Sequence, residues 1–270
     1  MKNLFRHWDN LKKELSDKNI MLFLDFDGTL VPIVENPSKA LIPEEIKGLL
    51  KGLSKNRRCR LAIITGRGLR DIKKRVGLKN IIYSGNHGLE IKGPKIGFEA
   101  PISPDYKAIL RQIKNELKER VSPIRGALLE DKGLSLSIHY RLVSNKQIPF
   151  VKTAFYKVTA PHLRLGKIKT EIGKKVLEVR PGVEWDKGKA VLWLLSRQES
   201  TFPGKSILPL YIGDDVTDEA AFEALKNNGL TIFVGSPKKS HAKYYLNNTK
   251  EVFKFLKNLS SLLSTNPPTI

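Results

Sequence analysis

Apolar and polar positions along this chain follow two rhythms that alternate. Leu4, Phe5, Trp8, Leu11 and Leu15 recur at helical spacing and predict a helix over 4–15. Met21, Leu22, Phe23 and Leu24 form an unbroken apolar run, as expected of a strand buried on both faces. That run ends in D-F-D-G-T-L at 25–30. Pro32, Pro37 and Pro43 then punctuate an irregular loop, with Pro43 read as a first-turn proline of a helix over 44–55. R-L-A-I-I-T at 60–65 predicts a second buried strand, 69–76 a helix, and N-I-I-Y-S-G at 80–85 a third strand. The order β-α-β-α-β is that of a doubly wound parallel sheet.

The rhythm then changes. Residues 93–104 are rich in Gly and Pro and are expected to be a linker. A helix over 104–120, strands over 126–130 and 134–140, a helix over 150–158 and strands over 163–169 and 175–180 follow. In the second of these strands Leu134, Leu136 and Ile138 alternate with Ser135, Ser137 and His139. Pro181-Gly182 closes this α-β-β-α-β-β block. The sheet pattern resumes with a helix over 187–196, a strand over 207–213, a helix over 218–226, a strand over 230–234 and a helix over 251–263. The tail at 265–270 is expected to fray. The fold class is therefore α/β: a Rossmann-like, doubly wound parallel core over 1–101 and 182–270, with an α+β module over 102–181 inserted after the third strand.

Composition narrows the setting. The 270 residues suffice for a real core, and the single cysteine, Cys59, allows no internal disulfide, so a reducing interior is expected. No apolar run approaches the roughly 20 residues that cross a bilayer, and the N-terminus lacks the apolar stretch of a signal peptide. A cytoplasmic, monomeric protein with no membrane partner is expected. The formal net charge is +21, but the basic residues are spread through every segment without a basic tail, zinc-finger spacing or aromatic RNA platform. They read as a solvated surface that can attract an anionic substrate, and no nucleic acid is expected.

Three predicted core strands end in polar residues: Asp25/Asp27, Thr65, and Asp214/Asp215 of G-D-D-V-T-D-E. The C-terminal ends of parallel strands converge on one edge, where such sheets bind ligands. Each segment alone could be a turn or a helix cap, but three in this order point to one site. Two acidic clusters without His or Cys partners suit a hard cation, Mg²⁺. Thr65 and a lysine would hold an anion. One aspartate can attack phosphorus, and Asp27 would protonate the leaving alkoxide and later activate water.

D-F-D-G-T-L, T-G-R, a lysine opening a helix and G-D-D-V-T-D-E resemble the haloacid dehalogenase-like phosphatase superfamily. S-G-N-H-G-L-E at 84–90, L-L-E-D-K-G-L-S-L-S-I-H-Y-R at 128–141, L-E-V-R-P at 177–181 and W-D-K-G-K-A at 185–190 resemble its trehalose-6-phosphate phosphatase branch. The resemblance runs over about residues 20–260. It implies Asp25 as nucleophile and Asp27 as acid/base with its backbone carbonyl on Mg²⁺. Thr65 and Lys187 would hold the phosphoryl group, with Gly66 and Arg67 of the same turn placed among the substrate contacts. Asp214 would be the third metal ligand, with Asp215 and Asp218 in the metal group around it. The inserted module would be a cap that closes over the sugar, using Glu130, Lys132 and Glu178 on hydroxyls and Asn86, His87, Arg141 and Arg180 beside them. The implied reaction is Mg²⁺-dependent hydrolysis of trehalose 6-phosphate, with sucrose phosphate and mannosyl-phosphoglycerate as rival substrates. A non-catalytic protein that binds nucleic acid or a sugar phosphate is the rival of another class. Some relatives carry a fused glycosyltransferase. This chain is too short for one, so its substrate is expected from a separate enzyme.

Overall fold

The structure, a computed structural model, describes residues 1–198, 206–237 and 239–265. The chain divides into two compact units, Met1–Phe98 with Asp186–Ile270, and Glu99–Trp185.

The first unit begins with β1 (Lys2–Asn3), α1 (Trp8–Ser16), β2 (Asn19–Leu24), α2 (Glu44–Lys55), β3 (Cys59–Ile64), α3 (Leu69–Val76), β4 (Ile82–Gly85), β5 (Glu90–Gly93) and β6 (Ile96–Glu99), whose last residue opens the second unit. The second unit carries α4 (Tyr106–Val121), β7 (Leu128–Asp131), β8 (Leu136–His139), α5 (Ile148–Arg164), β9 (Ile168–Gly173) and β10 (Val176–Pro181). The first unit then resumes with α6 (Lys187–Gln198), β11 (Ile207–Gly213), α7 (Glu219–Ala224), β12 (Leu230–Val234), β13 (Tyr244–Leu246) and α8 (Thr249–Thr265).

The sheet of the first unit has the order β1-β13-β12-β11-β2-β3-β4-β5-β6, parallel from β1 to β4 and antiparallel between β4 and β5. β2 is central and buried at every residue. Because side chains alternate across a strand, its two faces feed two cores. Ile20, Leu22 and Leu24 join Leu61, Ile63, Leu210 and Ile212 under residues of α1, α2, α3 and α8. Met21 and Phe23 join Ile64 and Tyr211 under Ala190, Val191 and Leu194 of α6 and Phe222 of α7. Helices thus cover both faces, as a parallel sheet requires. Among the described residues no helix is long and apolar enough to cross a membrane.

Several expectations need correction. The supposed linker at 93–104 is partly sheet: β5 and β6 form the far edge, and Ile91, Ile96 and Phe98 pack on the second core. Gly93 and Pro94 supplied a turn there, while Ile96-Gly97-Phe98 carried a period-two signal. The second unit therefore follows two further strands rather than the third strand. Pro43 is the extended N-cap residue of α2, one position before the first turn. α5 runs well past the expected 150–158, retaining Pro161 in its last turn. That takes residues 163 and 164 out of the expected strand, which starts instead at Ile168 after Gly166. β1 and β13, of two and three residues, are too short for a periodicity to mark. Thr265 ends α8, and residues 266–270 lie outside the described residues.

The second unit has one antiparallel sheet, β7-β8-β10-β9. Leu136, Ile138, Leu177, Val179 and Ile168 face α4 and α5, packing on Leu110, Ile113, Leu117, Val151 and Phe155. The opposite face carries a polar row. Glu130, Ser137, Glu178 and Glu171 lie side by side across its four strands.

Candidate active site

Register places the reactive groups of the first unit. Leu24 pairs with Ile212 on one side and Ile63 on the other, so Asp25, Thr65 and Asp214 leave the sheet together at its C-terminal edge. The Asp25 amide donates to the Ile212 carbonyl at 2.9 Å, carrying the pairing one residue past the strand. Gly28 takes φ +87°, and a Cβ there would fall on the Asp214 carboxylate. The glycine of D-F-D-G-T is therefore required twice, for its backbone conformation and for the close approach of the second acidic loop.

Carboxylate oxygens of Asp25, Asp214 and Asp218 lie within 4.8 Å of one another, all three residues buried. Lys187, the first residue of α6, donates to Asp25 Oδ1 at 2.9 Å and to Asp218 Oδ1 at 2.7 Å. Burial pushes the Asp25 carboxyl well above the usual carboxylate range, Asp218 and Asp214 push it further, and Lys187 opposes them. Burial alone would lower the Lys187 ammonium, but Asp218 and Asp25 outweigh it and hold it above an ordinary lysine. Three acidic side chains stand against one ammonium in a desolvated place, and all their donor atoms are hard oxygens. That set fits a divalent cation.

Asp218 has a role of its own. Its Oδ1 accepts from Lys187 and from the Tyr211 hydroxyl at 2.7 Å, and its Oδ2 accepts from the backbone amides of Asp214 and Asp215, both at 2.9 Å. Four donors fill the carboxylate, so Asp218 braces the loop and the lysine. Asp214 and Asp25 could hold a cation. Asp215, expected in the metal group, instead caps the turn at Val216–Asp218, its side chain on the Asp218 amide. Asp27 also lies outside the carboxylate triad.

Asp27 is held by Arg67. The guanidinium Nε donates to Oδ2 at 2.6 Å and Nη2 to Oδ1 at 2.7 Å. The same side chain donates to Asp71 at 3.0 Å and to the Pro37 carbonyl at 3.0 Å, and lies over the Phe26 ring. Arg67 was expected to meet substrate. Its donors are instead committed to Asp27, Asp71 and the Pro37 carbonyl. Thr65 is buried, and its hydroxyl accepts the Arg67 amide at 3.2 Å. The turn at 65–67 is laced to the loop after β4. The Asn86 amide donates to the Arg67 carbonyl, and the His87 amide to the Thr65 carbonyl. Asn86 and His87 both take positive φ, and the His87 ring occupies the space a Cβ on Gly66 would need. Asn86 Nδ2 donates to Glu90 at 2.7 Å.

In the second unit Glu178 accepts from Lys132 at 3.2 Å and from Ser135 at 2.7 Å, all three largely buried. Glu130 meets His139 at 2.7 Å, and Arg180 donates to Glu171 at 2.7 Å and to the Trp185 carbonyl. Arg141 stands apart, exposed and donating to the Lys174 carbonyl at 2.8 Å. Sequence reasoning missed Tyr211, hidden in an apolar run, together with Ser135, His139 and Glu171. The polar members of the alternating strand over 134–140 were the available signal for Ser135 and His139.

Comparison with known proteins agrees with this geometry. Residues 23–250 match the family model described as trehalose-phosphatase. Trehalose-phosphate phosphatase B of Arabidopsis thaliana is 35% identical over 266 residues, covering 93% of this chain and 69% of that one. Among solved structures, the C-terminal domain of C. albicans trehalose-6-phosphate phosphatase superposes with a TM-score of 0.80 at 23% identity, over 96% of this chain and 98% of that one. A haloacid dehalogenase-like hydrolase from Bacteroides thetaiotaomicron does so at 0.62 and 17%, over 90% and 100%. The fold is that of the haloacid dehalogenase-like hydrolases, and the chain belongs to the trehalose-phosphatase family.

Proposed function

We propose that this enzyme hydrolyses trehalose 6-phosphate to trehalose and phosphate, with Asp25 as nucleophile and Asp27 as acid and base. The observation that carries the reading is the buried group of Asp25, Asp214, Asp218 and Lys187 at the C-terminal edge of the sheet, in a chain of this family. Asp25 is buried and held by one lysine oxygen-to-nitrogen contact, which fixes the attacking group. An Asp25 oxygen forms a bond to phosphorus as the bond from phosphorus to the sugar oxygen breaks, and that oxygen takes a proton from Asp27. Water then attacks the aspartyl-phosphate, gives its proton to Asp27 and frees phosphate. The Asp27 carboxylate that accepts from Arg67 is the form able to take that proton.

Thr65 and Lys187 hold the phosphoryl oxygens. Asp25, Asp214 and the Asp27 carbonyl would hold Mg²⁺, which offsets the repulsion between carboxylate and phosphate oxygens. In the second unit Glu130, Lys132 and Glu178 recognise sugar hydroxyls, since ionised carboxylates accept and an ammonium donates. We read the protein as cytoplasmic and monomeric, with a small anionic substrate and no nucleic-acid partner. The test is phosphate release from trehalose 6-phosphate beside sucrose 6-phosphate and mannosyl-phosphoglycerate, with Mg²⁺ and after chelation. Selective, Mg²⁺-dependent turnover of the first is expected. Comparable turnover of all three removes the trehalose assignment, and activity that survives chelation removes the cation.

A further inference from the structure

Glu130 sits on β7, an edge strand of the second sheet with a neighbour on one side only. The residue directly across from it on β8 is Ser137, which is buried and whose hydroxyl makes no hydrogen bond among the described residues. A contact to Glu130 comes from the diagonal position. His139 pairs across with Leu128 and Val176, two apolar neighbours, and its Nε2 meets Glu130 Oε2 at 2.7 Å. Diagonal neighbours in an antiparallel pair lie within reach of long side chains. Both residues are partly exposed, with relative side-chain areas of 21% and 27%. The neighbouring carboxylates follow the same plan, Glu178 with Lys132 and Ser135, Glu171 with Arg180. Each glutamate of the row has its own donor.

We propose that His139 is a positioning residue for substrate selection: it holds Glu130 in the orientation that meets a sugar hydroxyl. This rests on the reading of Glu130 as a sugar contact. A glutamate has three rotatable bonds, and ordering it during binding weakens binding. A partner on the neighbouring strand orders it beforehand. The role is one of recognition, so it concerns the sugar and leaves the phosphoryl chemistry to the first unit.

The experiment measures kcat and KM for trehalose 6-phosphate and for p-nitrophenyl phosphate in His139→Ala, His139→Gln, Glu130→Gln and the His139→Ala/Glu130→Gln double variant. In His139→Ala, KM for the sugar phosphate is expected to rise about three- to tenfold, the range set by one side chain's ordering. The ratio of kcat/KM between the two substrates falls by the same factor. His139→Gln, which keeps an N–H donor, recovers most of it. In the Glu130→Gln background the histidine change adds nothing. Four results overturn the proposal: an unchanged KM in His139→Ala where Glu130→Gln raises it, equal losses on both substrates, no recovery with Gln, or an undiminished effect in the double variant. If Glu130→Gln itself leaves KM unchanged, the reading of Glu130 fails first and the proposal with it.

Discussion

Replacing Arg67 by Met separates two roles that an arginine in the 65–67 turn could have. The guanidinium is 6% exposed and gives two N–H donors to the two oxygens of Asp27, at 2.6 and 2.7 Å, in fork geometry. A charge-assisted hydrogen bond is worth about 1.5–3 kcal/mol when lost. Asp27 is 36% exposed, so water recovers part of this. About 1–2 kcal/mol of orienting free energy remains, a factor of roughly 5 to 30 in rate. The loss should fall on the step that needs a proton. A sugar alkoxide leaves poorly without one, whereas p-nitrophenolate leaves readily. Loss of Asp27 altogether would cost about 10²–10⁴ on the sugar phosphate, which sets the ceiling. The assay compares kcat/KM for trehalose 6-phosphate and p-nitrophenyl phosphate in Arg67→Met and Arg67→Lys, with thermal melts to confirm folding. A fall on the sugar phosphate several times larger than on the aryl phosphate is expected. Equal falls on both, with weaker inhibition by vanadate, would make Arg67 a phosphate ligand and refute the reasoning.

Asp25→Asn should abolish turnover while the protein stays folded. Intact-mass measurement after substrate addition should show a phosphoryl adduct in the parent protein and none in the variant, and retained activity would mean another nucleophile. Gly28→Ala places a Cβ on the Asp214 carboxylate at a φ of +87°. It should cost about 1–2 kcal/mol of stability from the backbone alone, read by denaturant melts, and should raise the Mg²⁺ concentration needed for half-maximal activity; an unchanged Mg²⁺ requirement would detach Asp214 from the metal. Tyr211→Phe leaves Asp218 Oδ1 with Lys187 as its remaining side-chain donor and should destabilise by about 1–3 kcal/mol. A neutral result in the melt would show that the hydroxyl does not support the brace.

The sheet was legible because a buried parallel strand is written as a mostly apolar run, and 19–24, 59–64, 207–213 and 230–234 all are, broken only by Asn19, Arg60, Pro209, Gly213 and Thr231. The meeting of Asp25 and Asp214 followed from strand ends alone, since parallel order puts them on one edge. What stayed hidden depended on where side chains point. T-G-R reads the same whether Arg67 faces substrate or Asp27. G-D-D-V-T-D-E offers four acids of equal appearance, and the hydrogen bonds reveal that Asp218 is a brace and Asp215 a cap. β6 was lost because glycine and proline mark both linkers and hairpin turns, and α5 outran its expected end because the burial of Thr159 and the packing of Leu163 against the core outweigh one proline in the last turn.

Lys187 stands 162 residues after the aspartate it neutralises. At about 5–20 residues per second, a ribosome needs roughly 8–30 s to make that stretch. During that interval the nascent chain carries Asp25 without Lys187, and β2 lacks β11 as its neighbour. The charge balance of the pocket is thus tied to the direction of synthesis, and a truncated product that ends before residue 187 lacks the ammonium that pairs with Asp25.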